Sequence, residues 1–429
     1  MRYIPLNNSI YKRNRLNFMN QMKGNCMAIF NSNDIYPVSA DSELPFAQHR
    51  DMFHLAGIDQ EETILILYPS SKDSKTREIL FIRRSDEHTK IWEGEKLSKD
   101  LASKLSGIES IHFVEDFKNI LHLITSKVDT FYINKNEHYR ANSPVETRED
   151  RFISWLLKKY PAHKVAKSNP ILQRLRSIKH IDEIDQIRKA CQITKKGFNR
   201  VLKFIKPDIW EYQIEAEFIH EFINNSSKGF AYSPIIASGQ DNNVLHYVKN
   251  NKQCKDGELI LMDVGAEYGN YSSDMTRTIP VSGHFSKRQK EIYNTVLRVK
   301  NEATKLLTVG NNWKNFHDQV GEIMTKELLD VNLLDKADIK NQTKKNPAYK
   351  KYFMHGTSHH LGLDTHDYGL LDDLFQENMV FTVEPGIYIP EEGFGVRLED
   401  DVVIQTKGEP INLMEDIPIE TDHIEELMN

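Results

Sequence analysis

Two stretches of this chain read as β-hairpins that each carry a matched pair of carboxylates. The first runs out through Leu259-Ile260-Leu261-Met262-Asp263-Val264 and returns through Tyr271-Ser272-Ser273-Asp274-Met275-Thr276, with Tyr268-Gly269-Asn270 as the turn. Symmetric pairing about a midpoint between Tyr268 and Gly269 sets Asp263 opposite Asp274. Directly opposed residues of an antiparallel pair share a face with Cβ atoms roughly 5 Å apart, so the two acids stand side by side. The second runs from Val380 to Ile389 and returns from Gly395 to Val402; a midpoint between Glu391 and Glu392 sets Glu384 opposite Glu399. Strand alternation puts Arg397 on the same face as Glu399 and opposite Gly386, whose missing side chain leaves room for a guanidinium.

One such acid pair is ordinary on a solvated strand. Two mirrored pairs on apolar strands are different: four carboxylates in one core repel one another unless cations neutralise them. Two divalent ions balance four negative charges, and an oxygen-rich shell completed by one histidine suits manganese, cobalt or zinc. A histidine source lies between the hairpins, where His355, His359, His360 and His366 fall within twelve residues. A single histidine is usually an ordinary hydrogen-bonding group, whereas this group predicts one ligand and several proton or substrate contacts. His246, just upstream of the first carboxylate strand, is a further candidate for a group facing substrate.

These residues need a scaffold, and the chain is long enough to supply one. Its 429 residues, 39% hydrophobic, allow two or three domains. Thr63–Tyr68 and Ile79–Ile82 predict a hairpin in an α/β region, and the His, Lys, Ser, Asn and Pro residues of 162–170 predict a linker. The expected division is a smaller N-terminal domain over 1–168 and a catalytic domain over 174–429. Ile184, Ile187, Cys191 and Phe198 share one helical face opposite Asp182, Lys189 and Lys196, and Ile292, Val296, Val299, Ala303 and Leu306 form a second stripe. Both stripes predict helices packed on a sheet, with no chemistry of their own. Lys344, Lys345, Lys350 and Lys351 predict a solvated loop.

The remaining composition narrows the function. Fifty-six basic and 62 acidic side chains, mixed along the chain for a net charge of −6, offer no basic block for nucleic acid. Cys26, Cys191 and Cys254 are far apart and predict neither disulfides nor a thiolate metal site. The first residues lack the apolar run of a secretory signal and no stretch approaches the roughly 18 apolar residues of a membrane span, so a cytoplasmic protein is expected.

Taken in order, Met262-Asp263-Val264-Gly265, Asp274-Met275-Thr276-Arg277-Thr278, His355-Gly356-Thr357-Ser358-His359, Val383-Glu384-Pro385-Gly386 and Val396-Arg397-Leu398-Glu399-Asp400-Asp401 resemble the motifs of the pita-bread metallopeptidases. That group contains methionine aminopeptidase, prolidase and aminopeptidase P. The run His355 to Asp367 is most similar to aminopeptidase P, and Gln48 to Gly57 followed by Thr63 to Tyr68 resembles the N-terminal domain that methionine aminopeptidases lack. The resemblance implies an α/β pita-bread catalytic domain holding two divalent metal ions, most simply Mn2+, with Co2+ or Zn2+ as alternatives. It makes Asp263 a ligand to one metal, Asp274 and Glu399 bridging ligands, and His359 and Glu384 ligands to the other. Glu384 would also be the general base, His246, His355 and His366 would orient substrate or stabilise the tetrahedral intermediate, and Arg397 would hold the carboxylates.

The implied substrate is a peptide with proline at its second position, and the implied assembly is a homo-oligomer. In it Trp92, from the first domain of a neighbouring subunit, is a candidate substrate contact; the alternative is an ordinary packing residue. Prolidase, which takes mainly dipeptides ending in proline, shares the fold and ligands, though Ser358 before the metal histidine resembles aminopeptidase P. A metal-free binding protein on the same fold is the rival from another class, and the complete five-ligand set argues against it.

Overall fold

The computed structural model describes residues 2–141 and 143–429. The chain divides into two compact units, one formed by Pro5–Arg176 and the other by Ser177–Asn429 together with the N-terminal residues up to Ile4.

In the first unit, β1 (Cys26–Asn31) carries Cys26, Ala28 and Phe30 on one face and Met27 and Ile29 on the other, every one fully buried. Strands that are apolar on both sides need cover on both sides, and helices supply it. A small exposed ribbon follows, β2 (Pro37–Ser39) with β3 (Ser42–Glu43). The main sheet is completed by β4 (Ile64–Leu67), β5 (Glu78–Ile82), β6 (Ser110–Phe113), β7 (Thr130–Ile133) and β8 (Lys164–Lys167), in the order β6-β5-β4-β1-β7-β8. The expected hairpin is β4 with β5, antiparallel from Ile64 opposite Phe81 to Leu67 opposite Glu78.

The second unit packs the helices Ile181–Leu202, Glu211–Asn224, Lys287–Leu306 and Trp313–Asp330 around small antiparallel sheets. Both sequence stripes lie inward: Ile184, Ile187, Cys191, Phe198, Ile292, Val296, Val299 and Ala303 are buried, with Leu306 half-buried. The four lysines near 344–351 are exposed, as expected. No helix among the described residues is long and apolar enough to cross a membrane.

The carboxylate hairpins form this unit's centre. The first comprises β10 (Leu259–Val264) with β13 (Met275–Pro280) and, beyond a break, β11 (Glu267–Tyr268) with β12 (Tyr271–Ser272); β9 (Ile235–Ser238) flanks β10. Its register differs from expectation. Asp263 faces Thr276 and not Asp274, because the turn is centred on Gly269 and Asn270, both at positive φ, +61° and +70°. Such a two-residue turn matches the strand twist and moves the midpoint on by one residue. The resulting slip of two positions leaves every side chain on its original face, so Asp263, Asp274 and Thr276 still point the same way.

The second hairpin keeps its expected register. β14 (Val380–Val383) pairs with β17 (Asp400–Val403), itself flanked by β18 (Ile411–Asn412), and β15 (Gly386–Ile389) pairs with β16 (Phe394–Arg397). Gly386 lies opposite Arg397. Pro385, which has no N–H to give a ladder, sits in the break that holds Glu384 and Glu399. An isolated bridge from Thr276 to Glu399 ties the two hairpins together.

Gly265 lies in the corresponding break of the first hairpin. A Cβ there would be 1.8 Å from the Ser273 carbonyl oxygen, and both flanking segments are backbone that cannot rotate away. Gly265→Ala is therefore expected to destabilise the protein by about 3 kcal/mol or more, measured as a shift in urea midpoint; a loss below about 1 kcal/mol would contradict the fixed approach of the two strands.

Candidate metal centre and active site

The break in each hairpin places its carboxylate where a ladder would otherwise run. Asp274, His359 and Glu399 are all buried and each offers a ligand atom within 4.8 Å of the others. A single divalent ion with bonds of about 2.0–2.2 Å gathers three such atoms with a small closure of the side chains. His359 Nε2 lies 3.4 Å from Asp274 Oδ2 and 3.7 Å from Glu384 Oε1. The other ring nitrogen, Nδ1, is 2.9 Å from the His360 carbonyl oxygen, which can only accept. Nδ1 therefore carries the proton and Nε2 presents its lone pair to the carboxylates, the tautomer a metal requires.

His359 is held in place by β14. The backbone N–H of Thr382 donates to the His359 carbonyl at 3.0 Å, the His359 N–H donates to Thr382 Oγ1 at 3.2 Å, and the Glu384 N–H donates to the Thr357 carbonyl at 2.8 Å. The histidine segment thus runs as an irregular partner to the strand leading to Glu384.

Asp263, less buried than Asp274, is gripped from two sides. Arg397 Nη2 donates to its Oδ2 at 2.7 Å, and the Tyr232 hydroxyl is 2.6 Å from its Oδ1. The same hydroxyl is 2.6 Å from Asp274 Oδ1. One O–H can donate to only one carboxylate, so the second contact needs a proton on the acid. The charge balance agrees: burial, reinforced by Asp263, raises the Asp274 carboxyl well above its ordinary range. Burial does the same to Glu399, with Asp274 and Glu384 adding to it, and lifts Glu384 to about 7. Carboxylates that resist ionising side by side, faced by a histidine lone pair, form a donor set that fits divalent cations and leaves them uncompensated otherwise.

The remaining expected residues gather at the same place. Arg397 also donates through Nε to Thr276 Oγ1 at 3.2 Å, and Thr276 donates to Glu399 Oε2 at 2.6 Å. Its Nη1 donates to the Tyr388 hydroxyl at 2.9 Å, which in turn lies 2.7 Å from His355 Nε2. His355 Nδ1 donates to the Gly356 carbonyl at 2.8 Å, so Nε2 is the acceptor for the tyrosine proton. Burial, together with the Arg397 charge and a smaller effect of His246, lowers the His355 pKa to about 3 and keeps the ring neutral. His366 is exposed with its ring 4.3 Å from that of His359, and His246 is exposed on the loop before Tyr247. Trp92 is 76% exposed on the helix Glu87–Glu93 of the first unit, which does not suit a packing residue.

Several residues that sequence reasoning passed over complete the centre. Tyr232 joins the two aspartates from outside any carboxylate motif, and nothing in its spacing marks it. Tyr388 was within reach of the alternation argument, since it shares a face with Gly386. The space above Gly386 is in fact closed by Tyr388 and not by the guanidinium: a Cβ at Gly386 would lie 2.7 Å from the Tyr388 oxygen. Behind the centre, fully buried Arg277 donates to the Glu399 carbonyl at 2.7 Å, to the Thr276 carbonyl at 3.0 Å and to Asp400 Oδ1 at 2.6 Å. Asp400 also pairs with buried Lys300, and although burial opposes it these two cations hold Asp400 well below the usual carboxylate range. Asp401 has the opposite setting: it accepts from the Asp274 N–H at 3.0 Å, but burial and the Asp274 charge raise its pKa strongly.

Comparison with known proteins agrees with this geometry. Residues 185–406 match metallopeptidase family M24, and residues 11–132 match the aminopeptidase P N-terminal domain. The chain is 32% identical to the Xaa-Pro aminopeptidase of Escherichia coli over 97% of both chains. It superposes on a putative aminopeptidase P from Bacillus anthracis with a TM-score of 0.91, 32% identity and coverage of 99% and 98%. A zinc-substituted E. coli aminopeptidase P in complex with product gives 0.89 at 30% identity, with 99% of each chain covered. The chain belongs to metallopeptidase family M24, in the branch that carries the aminopeptidase P N-terminal domain. These relatives favour the aminopeptidase P reading over prolidase.

A raised carboxyl pKa in the metal-free fold means that the native state holds a proton the unfolded chain has released. For Glu384 that holds from about 4.5 to about 7, so the metal-free protein loses stability as pH rises through this window. Thermal unfolding of metal-stripped protein should show this downward slope, Glu384→Gln should flatten it, and added metal at neutral pH should offset it. An upward slope that Glu384→Gln leaves unchanged would contradict the assignment.

Proposed function

We propose that this metallopeptidase removes the N-terminal residue of peptides whose second residue is proline. The observation that carries the reading is the convergence of Asp263, Asp274, His359, Glu384 and Glu399 on one buried centre, in a chain related over nearly its whole length to Xaa-Pro aminopeptidases. These five side chains would hold the divalent ions. Bound there, the ions supply Lewis acidity and bring a water to nucleophilic form near neutral pH. The oxygen-rich donor set supports manganese as the preferred metal.

The chain's own groups then handle protons and orientation. Glu384 takes the proton of the attacking water and returns it to the proline nitrogen as the carbon–nitrogen bond breaks. Neutral His355 and the exposed His246 and His366 bind and orient the peptide around the scissile carbonyl. Arg397 holds Asp263 and, through Tyr388, His355, so that one guanidinium aligns a carboxylate and a substrate group together. The exposure of Trp92 supports a homo-oligomer in which it reaches a neighbouring subunit's substrate, and a cytoplasmic location fits the composition.

Metal-stripped protein should regain cleavage of Xaa-Pro-Xaa tripeptides on addition of Mn2+, with the first amino acid released. Cleavage confined to Xaa-Pro dipeptides would instead mean prolidase, and full activity in the presence of chelator would overturn the metal mechanism. Glu384→Gln is expected to lower kcat by about 10²–10⁴, read on a proline-containing tripeptide. His359→Ala should lose bound metal, measured by elemental analysis of the purified protein.

A further inference from the structure

Glu211, the first residue of the helix Glu211–Asn224, is fully buried against β9 and takes no part in the chemistry above. Its Oε1 accepts from the Ser238 N–H and the Ser238 hydroxyl, both at 2.8 Å, and its Oε2 accepts from the Tyr247 hydroxyl and the Lys252 N–H, both at 2.9 Å. The Tyr247 oxygen has a second neighbour, Asn251 Oδ1, at 3.4 Å, so its single proton goes to the nearer Glu211. Donors at both oxygens require an acceptor at both ends, which a carboxylate offers and an amide does not. Charge-assisted bonds of this kind are about twice as strong as neutral ones, so Glu211 ties the end of β9 firmly to the chain that follows it.

That chain carries His246. Between Ser238, where β9 ends, and Leu259, where β10 begins, it forms no strand, and His246 stands exposed on a turn near its middle. An exposed side chain on a turn takes its place from its neighbours. Leu245 and Tyr247, on either side, pack against Ile235, Ala237, Leu261 and Tyr388. Tyr388 is the residue whose hydroxyl meets His355 at 2.7 Å, and His246 is near enough to that ring to disfavour its protonation. Apolar contact has no direction, so this packing holds the turn down without fixing its course. The bond from Tyr247 to Glu211 supplies the direction, right beside the histidine. Further out the loop is framed by Asn242, which donates to the Gly395 carbonyl at 3.2 Å, and by Asn250, which donates to Glu215 Oε2 at 2.9 Å.

We propose that Glu211 is a positioning residue for peptide cleavage: through the Tyr247 hydroxyl and the Lys252 N–H it fixes the turn that presents His246 to the substrate. The assignment rests on the function proposed above, in which His246 helps to orient the peptide. Displacing a group that orients substrate by about 1 Å costs about 10²-fold in rate, so a carboxylate that never meets the peptide can govern turnover.

The test has two arms, both on the full-length, Mn2+-loaded protein. Amide hydrogen exchange over 244–252, read by mass spectrometry, should be about tenfold faster or more in Tyr247→Phe, which removes one hydroxyl and keeps the ring in the core, and in Glu211→Gln, with exchange across the carboxylate hairpins unchanged. Should Glu211→Gln misfold, Tyr247→Phe carries the test alone. On a proline-containing tripeptide, Tyr247→Phe should lower kcat/KM about fivefold or more in the wild-type background and by less than about twofold in a His246→Ala background, where no histidine is left to align. Equal losses in the two backgrounds would mark a purely structural role and overturn the proposal, as would exchange over 244–252 that neither substitution changes. Wild-type protein that cleaved no such peptide would overturn the functional reading and this assignment together, whereas wild-type cleavage that Tyr247→Phe leaves intact would overturn this assignment alone.

Discussion

Charge repulsion at the centre of the second unit is the constraint on which the rest of that unit turns. Buried Asp274 and Glu399 and partly buried Asp263 and Glu384 share one space, and among the described residues the Arg397 guanidinium lies at hydrogen-bond distance from one of these carboxylates, Asp263. A low-dielectric interior makes such a cluster expensive, and a fold can keep it only by strapping each acid from behind while leaving its front free for cations. The straps are visible: Tyr232 and Arg397 on Asp263, the Tyr232 hydroxyl on Asp274, Thr276 on Glu399. On Asp274 and Glu399 the strap contacts one oxygen, which sets the orientation and leaves the other available, whereas both oxygens of Asp263 are held.

Strand geometry explains why these acids meet at all. Both hairpins are interrupted at their carboxylates, by the close approach at Gly265 in one and by Pro385 in the other. An uninterrupted ladder would project the acids from flat sheets, whereas the breaks let Asp274 and Glu399 turn toward a common point. The Thr276–Glu399 bridge then makes the two hairpins a single platform, with the Glu399 N–H donating to the Thr276 carbonyl at 3.0 Å.

Much of this was legible in the residues because period-2 alternation survives small errors of register. Symmetric pairing places the first hairpin two positions out of register, yet it keeps Asp263 and Asp274 on their true face, since a slip of two preserves facing. The second hairpin has the register its sequence symmetry predicts because Gly386 and Arg397, and the strand pairs around them, mirror about one point. Tyr232 could not be found this way: it approaches from a segment before β9, and only tertiary packing brings it to the aspartates. The same holds for Arg277 and Lys300, whose shared acid Asp400 lies 123 and 100 residues away, beyond the reach of any local pattern.

Those last two cations have a consequence for how this sequence can vary. Arg277, Lys300 and Asp400 form a buried set in which one acid serves two cations, and Arg277 also holds the carbonyls of Thr276 and Glu399 from behind. Loss of Asp400 leaves two buried cations without their acid, at a cost of about 3–5 kcal/mol, comparable to much of the stability of a typical domain, whereas loss of either cation leaves Asp400 paired with the other. A path of single substitutions that begins at Asp400 is therefore closed at its first step, while the exposed charges of the surface remain open to drift. An acid that touches no substrate would be inherited as strictly as the ones that do.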